Sequence, residues 1–130
     1  MTKTVPESSN PLVCVIDQDA EVRESLVALL TAEELDVRTY ENAEAFLETI
    51  GDRQPDCIIV ELNLPEMTGL ELLRQISARK VRLPSILLSS DSDVATAVQS
   101  IRAGAIDFIE KPFVNRVLLA RVREALGSTR

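Results

Sequence analysis

Four residues of this 130-residue chain could do chemistry together: Asp17, Glu61, Ser89 and Lys111. Each ends or closely follows a short apolar run, at residues 12–16, 57–60, 86–88 and 106–109 respectively. Carboxylate oxygens are what a hard divalent cation takes, and an ammonium is a natural counter-ion for a carboxylate. Polar residues commonly end strands, so each of the four alone carries little weight. Two carboxylates, a hydroxyl and an ammonium carry more if the fold brings them to one edge.

The elements that must position them are legible from periodicity. The runs at 12–16, 57–60 and 86–88, the first two rich in β-branched residues, read as strands covered on both faces. Residues 35–40 alternate like a half-exposed strand, and 106–109 is a further short one. Between these runs, Val22, Leu26, Leu29 and Leu30 fall on one helical face. So do Leu70, Leu73 and Ile76, then Val94, Ala97, Val98 and Ile101, and finally Leu118, Val122 and Ala125. A fifth helix is expected over 43–50, capped by Asn42 and ended at Gly51. Five strands alternating with five helices predict right-handed crossovers and a doubly wound parallel α/β sheet. Ligands bind such sheets beyond the carboxyl ends of the strands, which is where the four residues fall.

Size and composition bound the rest. The chain is long enough for one core, and 45% hydrophobic residues suffice to build it. Residues 1–10 read as a polar, flexible leader, 11–127 as one domain, and 128–130 as the start of a linker or tail. A net charge of −7 makes direct nucleic-acid or anionic-membrane binding unfavourable. No apolar run is long enough for a membrane span or a signal peptide, so a cytoplasmic protein is expected. Without histidine, and with Cys14 and Cys57 inside apolar runs, zinc, haem and iron–sulfur chemistry have no ligand set. A flavin-binding module would want a glycine-rich phosphate cradle and stacking aromatics, and the chain offers one tyrosine and no tryptophan.

The segments VIDQD at 15–19, ELNLPEMTG at 61–69, LLSS at 87–90 and FIEKPF at 108–113 resemble, in order and spacing, the motifs of the receiver domain of two-component response regulators. The resemblance runs over residues 12–126 and implies a flavodoxin-like fold of strand order 2-1-3-4-5. It also implies an acidic pocket for Mg²⁺, phosphoryl transfer from a histidine kinase, and output through one face. That face comprises the helix near 94–101, the strand at 106–109 and the last helix, known in the family as α4-β5-α5. Carried over residue by residue, Asp17 and Gln18 match the acidic pair and Glu61 the phospho-accepting aspartate. Asn63 matches the residue that offers its carbonyl to the metal, and Ser89 the hydroxyl that contacts the phosphoryl group. Phe108 matches the aromatic switch residue, partnered with Ser89. Lys111 matches the phosphoryl-contacting lysine, followed by Pro112, whose peptide is often cis in the family.

Two departures fall on the chemistry. Gln18 is neutral where the family has a metal-ligating aspartate, so the candidate ligands Asp17, Glu61 and Asn63 make at best a weak Mg²⁺ site, and no cofactor is expected. Glu61 reaches further than aspartate by roughly 1.5 Å, and a misplacement of about 1 Å can cost on the order of a hundredfold in rate. The expected function is therefore that of a non-enzymatic pseudo-receiver: a phosphorylation-independent interaction module, with Glu61 a partial mimic of the phosphorylated state. Its expected partners are a second copy or another protein at the α4-β5-α5 face. A histidine kinase and an effector domain C-terminal to this chain, acting in transcription control, are further candidates. Arg116, Arg121, Arg123 and Arg130, with Asp93 and Asp107, could form intersubunit ion pairs there, or a solvated face. Alternatively the receiver is still phosphorylated despite a weakened Mg²⁺ site, or Gln18 and Glu61 are drift in a disused pocket. On that last view Lys111 is a counter-ion, Ser89 a loop hydroxyl and Phe108 ordinary core.

Overall fold

The computed structural model describes residues 10–90 and 93–127. The leader apart from Asn10, the tail at 128–130 and with it Arg130 lie outside the described residues. The elements alternate without exception: β1 (Leu12–Ile16), α1 (Ala20–Thr31), β2 (Asp36–Tyr40), α2 (Ala43–Thr49), β3 (Cys57–Glu61), α3 (Gly69–Ala78), β4 (Ser85–Ser89), α4 (Val94–Arg102), β5 (Asp107–Glu110) and α5 (Asn115–Gly127). The strands are all parallel and stand in the order β2-β1-β3-β4-β5, the flavodoxin-like order expected.

Strand alternation divides the core in two. Cys14, Ile16, Ile58 and Val60 face one side and pack with Phe46 of α2 and Leu72, Leu73 and Ile76 of α3. Val13, Val15, Cys57 and Ile59 face the other and pack with Leu26 and Leu30 of α1 and Leu118 and Val122 of α5. Every residue of β1, β3 and β4 is buried, which is why these strands read as continuous apolar runs. Their ladders extend past the apolar residues, so β3 ends on Glu61 and β4 on Ser89, with Glu61 in register with Leu88.

Helix starts follow local chemistry. Asp19, Asn42, Thr68 and Asp93 cap α1, α2, α3 and α4, each accepting a backbone N–H of the first turn. Thr68 and Glu71 complete a capping box. Helix α2 ends at Thr49, with Gly51 in the turn beyond.

Helix α4 departs from expectation. It forms where its periodicity places it, but Val94, Val98 and Ile101 are 79%, 43% and 50% exposed. Its one buried residue is Ser100, whose hydroxyl donates to the Thr96 carbonyl at 2.9 Å. An apolar stripe at helical spacing need not face its own core, and this one faces outward; Ile106, Val114 and Val117 are also exposed.

Candidate functional site

The parallel sheet brings Asp17, Glu61, Ser89 and Lys111 to the carboxyl edge of β1, β3, β4 and β5. Asp17, Glu61 and Ser89 are buried, at 1%, 5% and 0% exposure. Neighbouring strand ends place them: Leu62 N–H donates to the Leu88 carbonyl and Lys111 N–H to the Ser89 carbonyl, both at 2.8 Å.

Lys111 closes the site. Its ammonium donates to Asp17 Oδ2 at 2.8 Å and makes a short contact with Glu61 Oε1. The remaining carboxylate oxygens are held by backbone: Asp17 Oδ1 accepts from Asp19 N at 2.9 Å, and Glu61 Oε2 from Asn63 N at 2.8 Å. All four oxygens are thus engaged from within the chain. Burial alone would pull the Lys111 ammonium down, but hydrogen bonds and charge from Asp17 and Glu61 outweigh it and hold it above its ordinary value.

The other sequence candidates divide. Gln18 has an exposed side chain, and Asp19 next to it is turned into the α1 cap, accepting from Glu21 N at 2.9 Å. Asn63 enters the site through its N–H. Phe108 is half-buried against the α2–α3 side of the core, in register with Leu87. The Lys111–Pro112 peptide is cis. Among the described residues no three His, Cys, Asp or Glu side chains converge in a way that could hold a metal ion.

Two participants, Arg23 and Gly69, were not singled out by sequence reasoning, and Asp19 takes a part other than that of a substitute metal ligand. Arg23 donates to the Asp17 carbonyl at 2.7 Å from the first turns of α1, a contact that sequence distance alone does not reveal. Asp19 supplies its N–H to Asp17 as well as capping a helix. Gly69 packs so tightly that a Cβ there would lie 2.5 Å from the Glu61 carbonyl oxygen, and its place at the end of the ELNLPEMTG segment was the available signal.

Two of the arginines considered for intersubunit pairing are committed within the chain. Arg121 pairs with Asp107 at 2.8 Å and with Glu124 at 3.5 Å, and Arg123 pairs with Glu33. Asp107 lies on β5 and Glu33 in the turn after α1, so local sequence does not show these two pairings, whereas Glu124 is one turn along α5 from Arg121.

The cysteines are packing residues on opposite faces of the sheet. Burial pushes the Cys14 thiol up to about 11, tempered by Arg38, Tyr40 and Arg53, and the Cys57 thiol up to about 12, with Cys14 and Asp56 adding to the rise. A thiol whose folded value exceeds its ordinary 9.0 keeps in the native state a proton that the unfolded chain gives up. Its stabilisation is therefore complete below pH 9 and is lost as pH rises through the folded values. Urea midpoints should start to fall just above pH 9, and a Cys14→Ala/Cys57→Ala variant should show a shallower decline over the same interval.

Comparison with known proteins sets this geometry in context. Residues 13–123 match the response regulator receiver domain family. The chain is 38% identical over 113 residues to the transcriptional regulatory protein FixJ of Rhizobium meliloti (strain 1021), covering 87% of this chain and 55% of that protein. It is 38% identical over 118 residues to the transcriptional regulatory protein TdiR of Thauera aromatica, covering 91% and 52%. The crystal structure of FixJ-N superposes with a TM-score of 0.84 at 36% identity, over 92% of this chain and 96% of that one. The chain spans about half the length of these curated relatives. Among the described residues, no helix is long and apolar enough to cross a membrane.

Proposed function

The chain belongs to the response regulator receiver domain family, and from that premise we propose that it works as a pseudo-receiver, a cytoplasmic interaction module whose output does not wait for phosphorylation. One observation carries this reading: Lys111 joins Asp17 and Glu61 while Asp19 and Asn63 N–H groups take the outer oxygens. A phosphoryl group on the acceptor would offer its oxygens to this lysine; here the longer Glu61 side chain offers its own. Glu61 supplies one negative charge where a phosphoryl group supplies nearly two, so the mimicry is partial.

On this reading the residues do not fit Mg²⁺. A hard cation wants several carboxylate oxygens. The edge has two carboxylates instead of three, both committed to Lys111, and the Gln18 amide is neutral and its side chain exposed. The domain proper is residues 11–127. Signal leaves through the face built by α4, β5 and α5, where Val94, Val98, Ile101, Val114 and Val117 stand exposed for a second copy or a partner protein. The relatives' names support an effector in transcription control in the full-length protein. A histidine kinase would be a docking partner without being a phosphodonor.

The test is phosphorylation itself. With acetyl phosphate and millimolar Mg²⁺, intact mass should stay unchanged, and fluoroberyllate should leave the Ser89 and Phe108 amide shifts where they were. The Gln18→Asp/Glu61→Asp variant should gain both responses, since Ser89 and Lys111 are in place. A mass gain in the parent chain would establish instead a receiver that is still phosphorylated. For the mimic, Glu61→Gln should weaken self-association or output, and a variant that behaves as the parent would make the substitution drift.

A further inference from the structure

At the end of the sheet opposite Lys111, the chain's charge reverses locally. Arg74, Arg79, Lys80, Arg82 and Arg102 all stand exposed on the C-terminal half of α3, the loop after it and the last turn of α4. None of the five forms an ion pair among the described residues. In a chain with 21 acidic and 14 basic residues, a corner with five exposed cations runs against the overall charge.

The surface there is also shaped. A depression of about 210 Å³ has an apolar floor that includes Leu73, Ile76, Leu83 and Ile106, with Arg82 at its edge. It continues across Ser77 and Ala103 into an open groove flanked by Arg74 and Arg102. Among the described residues, no acidic side chain lines either part. The floor is held in place: the Ser77 hydroxyl donates to the Ala103 carbonyl at 3.1 Å, tying α3 to the turn after α4. That turn passes through Gly104 at φ +118, and a Cβ there would lie 3.1 Å from Ser77 Oγ.

We propose that this depression between the C-terminal ends of α3 and α4 docks an acidic segment of a partner protein that carries one apolar side chain. The apolar floor takes the side chain, and Arg74, Arg82 and Arg102 take the flanking carboxylates, which guanidinium groups bind in bidentate fashion. A nucleic-acid backbone fits less well. It has no apolar group for the floor, and the net charge of −7 repels it everywhere else.

The experiment titrates the isotopically labelled chain with a short synthetic peptide of glutamates around a single leucine, reading amide shifts. The expected result is shifts confined to Ser77, Ala103, Gly104, Ile106 and their neighbours, weakened by salt. Arg74→Glu/Arg102→Glu should lower the affinity by about tenfold or more, because like charges then face the peptide. Both positions are exposed, and an otherwise unchanged spectrum would confirm that the variant is folded. Absence of shifts, or shifts that survive the double charge reversal, overturns the proposal. So does the same set of shifts produced by a short DNA duplex and not by the peptide, or by raising the concentration of the chain alone.

Discussion

Lys111→Met should destabilise the chain by about 3 kcal/mol, seen as a fall in the urea midpoint at neutral pH with an unchanged slope. The substitution removes the one ammonium that two buried carboxylates share. Asp17 and Glu61 would then face each other as like charges at 1% and 5% exposure, with only their backbone N–H partners left. Breaking a buried pair costs more than the pair contributes, because the stranded charge has lost its water as well as its partner. The figure sits at the low end of the usual range because the Lys111 side chain keeps 17% exposure, which lets water enter once the ammonium is gone. The triple variant Asp17→Asn/Glu61→Gln/Lys111→Met should recover much of the loss, since it removes the charges together. A change below about 0.5 kcal/mol for the single variant would mean that solvent already screens the three charges. The closed site on which the pseudo-receiver reading rests would then be untenable.

Gly69→Ala should cost a similar amount, about 3 kcal/mol, for a steric reason. An added Cβ would stand 2.5 Å from the Glu61 carbonyl oxygen, and 3.0 Å from Leu62 Cα and from Leu87 Cδ2. Two of these atoms are backbone of the strand end that presents Glu61, so relief requires moving either that end or the start of α3. The Gly69 N–H bond to the Leu62 carbonyl, 2.9 Å long, restrains both. Gly51→Ala is the matched control. Nothing lies within 4 Å of the added methyl there, so its midpoint should barely move. If Gly69→Ala is equally mild, the first turn of α3 slides easily and Gly69 does not fix the Glu61 backbone.

Much of the fold was legible because its signals are local. The buried strands have apolar centres since both faces are covered, and Asn42 precedes α2 as a side-chain acceptor should. The site was legible for a related reason: in a parallel sheet, residues at successive strand ends share one edge, so Asp17, Glu61, Ser89 and Lys111 could be grouped before any distance was known. The two departures, Gln18 and Glu61, needed only their identities.

Solvent exposure and pairing across the fold were not legible. The stripe Val94, Val98 and Ile101 has the spacing of a core face, and only the placement of α4 against the sheet turns it outward. Arg121 and Arg123 looked available for a partner until packing set them beside Asp107 and Glu33. Arg23 reaches Asp17, and Lys111 reaches across 94 positions of sequence to the same residue. Sequence by itself determined which groups exist, which elements carry them and at which sheet edge they meet. Tertiary structure decided which carboxylate each cation holds and which apolar face stays uncovered. Charge pairing and burial depend on distances between segments far apart in the chain, and only the packed fold sets those distances.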